Sequence, residues 1–537
     1  MRVRRTPAPT AYIRPDIDRT PELTNSTIRP EHPVPRPLAE LARVFEFDVR
    51  GDMSSEELTG VSVDSRGIED GDLYVGLAGL RAHGASFAAQ ARDAGAVALL
   101  TDPAGADLAA DVGLPVLVTG DPRAALGDVA AWVHRTAEHP PLLFGVTGTN
   151  GKTSVVYLLD AILRQLGVRT GLSSTAERRV GDAVTASSLT TPEASELHAL
   201  IARMRESEAR AAAIEVSAQA VTRGRVNGVV FDVVGFTNLS HDHLDDYADM
   251  DEYFEAKRAL FDPDRARRAV VTVDGGWGRR LVDESRVPVT TLSTGSTHES
   301  DWQIEVTLED RLHTDFTLTG PGGTEISTRV PLFGWYMAAN AALALVMLIE
   351  AGFEAEAIQH SLDRDGGIDV YIPGRAERVS GDAGPTVYID YGHTPDAFLN
   401  TLDALRPLTP GKLVMVFGAD GDRDKTKRAD MGGIAARGSD VVVVTDFHPR
   451  YEDPAAIRRT LVQAARAAVP DREIHEIADP REALRLALSL TGEGDTILYA
   501  GPGHEDYQEI AGVKHPYSAR DDARLALREA GWGGEDA

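Results

Sequence analysis

The residues with the clearest chemical purpose are Gly145-Val-Thr-Gly-Thr-Asn-Gly-Lys152-Thr153, a glycine-rich loop ending in GTNGKT. Glycines at this spacing let the backbone N–H groups of Gly148, Thr149, Asn150 and Gly151 curl around phosphate oxygens. Lys152 would neutralise the β and γ oxygens of a nucleotide, and the Thr153 hydroxyl would hold Mg²⁺. A helix beginning at this point adds its positive end. Such a loop serves an ATPase, a kinase or a ligase equally well, so other residues must choose among them.

Glu215 ends the otherwise apolar run AAAIEV, where a carboxylate reads as a metal ligand aimed at the crevice of the phosphate loop. The segment NLSHDHLDDY, Asn238–Tyr247, packs acids and histidines behind another apolar run and offers His243 to Mg²⁺. On composition alone it would also pass as a surface loop. Its pattern is not HExxH, which argues against zinc hydrolysis. Lys257, within DEYFEAKRALF, would by itself be a solvated helix lysine.

Positioning these groups requires strands that stop at one edge. Leu142–Val146, Ala211–Val216 and Val229–Phe236 are apolar apart from Glu215 and Asp232 and alternate with helical stretches such as Thr153–Gln165, which predicts a parallel sheet covered on both faces. Trp302–Leu318 alternates like a more exposed sheet, and Asn340–Ile349 reads as a buried helix. Before this unit, Leu38–Phe45 and Phe87–Gly95 are helical, Asp72–Val75 and Val97–Leu100 strand-like, with a glycine-rich loop from Val63 to Gly84. After it, strands at Leu413–Phe417, Val441–Thr445 and Thr496–Tyr499 alternate with helices at Ala429–Arg437 and Ala455–Ala467. That predicts a Rossmann-like unit without the dinucleotide fingerprint. The expected fold is α/β in three domains, 38–139, 140–372 and 373–537, after a disordered tail over 1–37 rich in Pro, Arg and Thr.

Bulk properties set the outer limits. A chain of 537 residues needs several cores, and 42% hydrophobic content can fill them. A net charge of −28 argues against nucleic acid or an anionic membrane as partner, while leaving anionic substrates open. No apolar run is long enough for a bilayer, and the basic start lacks the hydrophobic stretch of a signal peptide. The absence of cysteine excludes disulfides and a thiol nucleophile and fits a cytoplasmic protein.

Ordered segments along nearly the whole chain resemble the Mur ligase family: DSRGIEDGDLYVGLAG, GVTGTNGKTS, LTTPEASEL, FTNLSHDHLDDY, YFEAKRALF, PGRAERV, DYGHTPDA, FGADGDRDKTKRADMG and GPGHEDYQE. Within it they are most similar to the members that add the third peptide residue of peptidoglycan. The resemblance implies a uridine-nucleotide domain, a central ATPase and a mobile third domain that closes over ATP and brings the amino acid. It implies ATP and Mg²⁺, a UDP-linked muramoyl-dipeptide or related acceptor, a free amino acid, and a monomer. Lys152, Glu215, His243 and Lys257 become the expected catalytic set, with Thr153, Glu215, His243 and a carbamylated Lys257 serving the metals. Asn340 falls on the adenine side, and Arg375, Asp390 and His393 on the ribose and phosphates. Ser65 and Arg66 match the uridine loop; Thr190, Thr191, Ser217 and Arg225 match positions near the muramoyl peptide.

For the incoming amino acid, family members that use diaminopimelate carry DNPR and GKGHE motifs. Here these read Phe447-His448-Pro449-Arg450 and Gly501-Pro502-Gly503-His504-Glu505. Arg423 and Arg450 could grip carboxylates, Glu505 could receive an ammonium group, and His448 and Gly501 would line the wall. An arginine–glutamate pair suits diaminopimelate, which ends in both charges. Yet Phe447, His448 and Pro502 depart from the motifs, EVSSH has become EVSAQ with Ala218 and Gln219, and Met337 stands where the family usually has Asn. A paralogue serving another acceptor or amino acid is the alternative, and a catalytically dead scaffold is disfavoured because Lys152, Glu215, His243 and Lys257 are all present.

Overall fold

The computed structural model describes residues 28–53, 56–79, 81–295 and 299–532. The chain forms three α/β domains, each built on its own largely parallel sheet. In the first, Gly60–Ser62, Asp72–Gly76, Ala98–Thr101 and Val116–Val118 run parallel, and Asp48–Arg50 closes one edge antiparallel. Asp72–Gly76 is buried at every residue, so the strand expected at Asp72–Val75 is a core strand lying within the loop expected from Val63 to Gly84.

The expected tail needs a correction at its end. Residues 1–27 lie outside the described part, but 28–37 are seated on the body. Ile28 is buried, the Arg29 guanidinium holds both oxygens of Asp72 at 2.8 Å, and Arg36 stacks over Trp132 at 3.3 Å. A few anchoring groups outweigh a polar composition here. Burial still pushes the Asp72 carboxyl above its ordinary range, with Arg29 opposing it.

The central sheet has eleven strands. Its parallel heart runs Thr170–Ser173, Ala211–Glu215, Leu142–Thr147, Phe231–Phe236, Ala266–Thr272, Val289–Ser293 and Trp302–Glu309. Antiparallel hairpins extend both edges. The strands Thr170–Ser173, Ala266–Thr272 and Val289–Ser293 went unseen in the sequence, because each is short or interrupted by threonine and arginine. The helix expected at Asn340–Ile349 starts earlier, at Trp335, and runs to Glu350. It packs with Lys152–Gln165 into one continuous apolar core, and almost every residue of Lys152–Gln165 is buried.

Register decides where the chemistry goes. Val146 pairs with Glu215 and Thr147 with Phe236, so three strands end side by side. The segments leaving those ends share one crevice at the carboxyl edge, the usual ligand position in such sheets. The third domain has the order Glu377–Arg378, Thr386–Asp390, Thr496–Ala500, Leu413–Phe417, Val441–Val444, Glu473–Glu476, parallel apart from its first strand. Its strand ends face the same crevice from the opposite side, leaving a cleft of about 2270 Å³ between the two domains. Among the described residues no helix is long and apolar enough to cross a membrane.

Candidate active site

The phosphate loop is built by backbone and braced from behind. Gly148 and Gly151 adopt positive φ, and a Cβ on Gly148 would stand 1.9 Å from Thr237 Oγ1. The neighbouring strand end clasps the loop: Thr149 N–H donates to Asn238 O at 2.9 Å, Asn150 N–H to Asn238 Oδ1 at 3.0 Å, and Thr237 Oγ1 to Asn150 O at 2.6 Å. Lys152 Nζ curls back onto the carbonyls of Gly148 and Thr149 at 3.1 and 2.8 Å, and lies 4.0 Å from Glu215 Oε1. A nucleotide phosphate would offer this ammonium a better partner than two carbonyls.

Glu215 has an asymmetric setting. Its Oε2 accepts from Thr153 Oγ1 at 2.9 Å, Thr175 N–H at 2.9 Å and Thr175 Oγ1 at 3.0 Å. Behind it, buried Thr191 donates to Glu215 O at 2.8 Å and accepts from Ser217 N–H at 3.1 Å. Oxygen donors on Thr153 and Glu215 with a neutral imidazole at His243 fit a hard divalent cation such as Mg²⁺. Burial first, then the charges of Lys257 and Lys152, hold His243 at about 4 against the pull of Asp242, so the ring is neutral and able to ligate near neutrality. Asp245 and Asp246 bring carboxylate oxygens within 4.8 Å of the same ring.

Lys257 is not a solvated lysine. It is 1% exposed, lies beneath the loop, and donates to Gly148 O at 2.7 Å. Burial, and after it the charge of Lys152, drive its amine well below the ordinary lysine range, although Asp242 and Glu215 pull the other way. Its amine therefore sits closer to the neutral, nucleophilic form than any surface lysine.

The third domain closes this site. Arg375 Nη2 donates to Thr153 Oγ1 at 3.0 Å, and its guanidinium lies over the Tyr391 ring at 4.2 Å. Asp390, an expected nucleotide contact, spends both oxygens locally, accepting from Ala376 N–H at 2.8 Å and Gly392 N–H at 2.7 Å. In this structure it fixes the turn that aims Arg375. Lys427 crosses to buried Asp242 at 2.9 Å, with His243 and His393 at 3.6 and 3.9 Å from the other oxygen. Burial alone would raise that carboxyl, but His243, Lys427 and His393 together hold it far below its ordinary range. Lys427, Thr175 and Tyr391 were not singled out in the sequence. FGADGDRDKTKR was noticed, and a lysine in a matched segment was the available signal for Lys427.

The other expected residues divide by location. Asn340 packs against the phosphate loop, where a Cβ on Gly151 would meet its Oδ1 at 2.5 Å. Thr190 accepts from Thr175 Oγ1 at 3.1 Å, Ser217 caps the helix Ala218–Thr222, and Arg225 pairs with Glu193 at 3.0 Å. Ser65 and Arg66 stand apart in the first domain, Arg66 exposed and paired with Asp64 at 2.8 Å. Deep in the third domain, His448 Nδ1 accepts from Glu509 N–H at 2.9 Å while Nε2 lies 2.8 Å from Glu505 Oε2. Tyr507 stacks on the His448 ring, and the Phe447 ring lies 4.0 Å from it. Gly501 has φ of 119° and donates to Asp390 O at 2.9 Å, tying this wall to the Arg375 turn.

Residues 57–134 match the Mur ligase family catalytic domain, 146–348 the Mur ligase middle domain, and 374–503 the Mur ligase glutamate ligase domain. The chain is 67% identical over 507 residues to a UDP-N-acetylmuramyl-tripeptide synthetase of Leifsonia xyli subsp. xyli, covering 94% of this chain and 99% of that one. It is 44% identical over 505 residues to a UDP-N-acetylmuramoyl-L-alanyl-D-glutamate–2,6-diaminopimelate ligase of Streptomyces avermitilis, covering 94% and 97%. A solved structure of a ligase of the latter name aligns with TM-score 0.63 and 27% identity over 93% of this chain and 99% of that one.

Proposed function

Because this chain belongs to the Mur ligase family, we propose that it joins a free diamino acid to UDP-N-acetylmuramoyl-L-alanyl-D-glutamate at the expense of ATP. One observation carries the reading. Lys152, Thr153 and Glu215 of the central domain meet Arg375 of the third domain in one crevice, with Arg375 Nη2 and Thr153 Oγ1 3.0 Å apart.

A carboxylate resists attack by an amine because oxide is a poor leaving group. The acceptor carboxylate oxygen therefore attacks the γ-phosphorus of ATP, the β–γ P–O bond breaks, and ADP departs. The amine nitrogen then attacks the acyl carbon, the C–O bond to phosphate breaks, and a proton leaves the nitrogen. Lys152 and Arg375 offset charge on the oxygens in transit, and the closed third domain keeps water from the acyl phosphate. Mg²⁺ held by Thr153, Glu215 and His243 would shield the phosphates from the incoming carboxylate. The buried amine of Lys257, driven well below the ordinary lysine range, suits reaction with CO₂, which would convert it into a carbamate able to support a second metal. Thr190, Ser217 and Arg225 would meet the muramoyl peptide of the acceptor, and Ser65 and Arg66 would take its uridine end.

The test is phosphate release from ATP and Mg²⁺ with this acceptor, offered diaminopimelate isomers, lysine and ornithine in turn, with product masses recorded. Release that requires both acceptor and amino acid, with a product heavier by one amino acid less water, is expected. A preparation that binds ATP but forms no product with any of them would overturn the reading in favour of a different acceptor.

A further inference from the structure

The amino-acid pocket of the third domain holds more negative charge than its motif arginine can offset. Arg450 Nη2 lies 3.3 Å from Asp420 Oδ1 and its Nε 3.4 Å from Glu509 Oε2, so two carboxylates flank one guanidinium. Neither is an accident of a loose side chain. The Arg450 backbone, at φ 50°, donates to Glu509 O at 3.1 Å and accepts from Ala511 N–H at 2.7 Å, which fixes the arginine to the hairpin carrying Glu509. Asp420 is held by its own carbonyl, which accepts from buried Arg428 Nη2 at 2.7 Å, and Arg428 is anchored in turn by Glu452 at 3.0 Å.

Glu505 is met by a hydrogen bond rather than by a cation. Because Glu509 N–H donates to His448 Nδ1, that nitrogen is unprotonated and the ring is the neutral tautomer with its proton on Nε2. His448 therefore gives Glu505 a hydrogen bond at 2.8 Å but no positive charge. Arg450 and Lys514, the latter over the Tyr507 ring at 3.9 Å, face the three carboxylates of Asp420, Glu505 and Glu509. Arg423 is the arginine left over: half exposed, it approaches Asp245 no closer than 4.0 Å. One available arginine matches the one α-carboxylate that every amino acid carries.

We propose that Asp420 and Glu509 are specificity-determining residues that occupy Arg450 from within, so that the pocket accepts a side-chain ammonium at Glu505 and rejects a second, distal carboxylate. The substrate class is then an α,ω-diamino acid with a single carboxylate, as in lysine, ornithine or 2,4-diaminobutyrate. A distal carboxylate brought to Arg450 would meet two like charges already there, and like-charge juxtaposition is a strong ground for exclusion. This rests on the ligase reading above and narrows it.

The test compares kcat/KM for L-lysine, L-ornithine, L-2,4-diaminobutyrate and meso-diaminopimelate in the full-length wild type, in Asp420→Asn and in Glu509→Gln, all with the same UDP-linked acceptor. For the wild type at least one single-carboxylate amino acid should exceed meso-diaminopimelate by about ten-fold or more, the size expected when a charged group meets a mismatched pocket. Asp420→Asn keeps the side chain's shape and removes its charge, and should shift the ratio toward meso-diaminopimelate by about five-fold or more. Glu509→Gln gives a second reading of the same ratio should the first variant fold poorly. A wild type that prefers meso-diaminopimelate, or ratios unmoved in both variants, overturns the proposal while leaving the ligase reading intact. Product from no amino acid at all would remove the ligase reading and this one with it.

Discussion

The phosphate crevice and the amino-acid pocket are built in opposite ways. In the crevice the backbone does the recognition: glycines at positive φ, strand ends in register and a helix start place Lys152, Thr153 and Glu215 with little freedom. In the pocket, side chains from distant stretches decide the outcome, Asp420 against Arg450 and His448 against Glu505. The crevice waits for charge, its Lys152 parked on carbonyls. The pocket has largely matched its charges internally, and what remains unmatched is negative. A shared nucleotide can be bound by a fixed backbone device, whereas the choice of amino acid rests on groups that a single substitution can change.

The contrast is broken most severely at Lys152. Lys152→Ala should reduce acceptor-dependent phosphate release by about 10³-fold or more, since it removes the cation facing the transferred phosphoryl group. Steady-state release, with a thermal melt to show an intact fold, is the check. A loss of less than ten-fold, roughly 1.4 kcal/mol, would mean the crevice does not depend on its lysine as argued.

Lys257 sharpens the comparison from beneath the loop. Lys257→Ala should lower kcat by about 10²-fold, the scale of losing a group that orients metal ligands, and high acetate should restore part of it by supplying the missing carboxylate. Labelled bicarbonate should give a carbamate signal in the wild type that the variant lacks. Full activity without Lys257, or rescue equal in sodium chloride and acetate, would argue for a packing role under Gly148.

The two regions were also unequally legible. The GTNGKT loop is contiguous, and the strand before it is apolar at every position, so the crevice and its helix could be read within a residue or two. Glu215 followed from its place at a strand end. Asp420, by contrast, stands inside a glycine-rich loop where an acid reads as ordinary turn chemistry, and its meaning depends on Arg450, 30 residues on. Asp390 was read as a nucleotide contact from the family resemblance, which could not show that both its oxygens also accept from backbone N–H groups. Residues 28–37 were read as tail because composition cannot show that Arg29 has a buried aspartate to meet. Sheet order escaped notice for a related reason: Thr170–Ser173 and Val289–Ser293 owe their burial to neighbours rather than to their own hydrophobicity.

The smallest expected effect concerns the wall shared by the two regions. His504 lies between Arg375 of the crevice and Glu505 of the pocket, its Nδ1 3.4 Å from Arg375 Nη1. Burial first, then the charges of Arg375 and Arg520, lower it from 6.5 to about 3. The folded protein therefore keeps this ring neutral while the unfolded chain protonates it below about 6.5. Its contribution to stability is fully present above pH 6.5 and is lost progressively as pH falls toward 3. At pH 5 the loss from this one group is about 1–2 kcal/mol. His504→Gln removes the titration, so the variant should lose that much less stability than the wild type between pH 7.5 and 5, measured by urea unfolding at both values. Because Glu505 follows directly in the chain, the same variant should disturb amino-acid KM more than ATP KM if the wall serves the pocket. The reverse order would assign His504 to the crevice through Arg375, and an unchanged pH slope would mean that the ring is more solvated than its packing against Tyr391 implies.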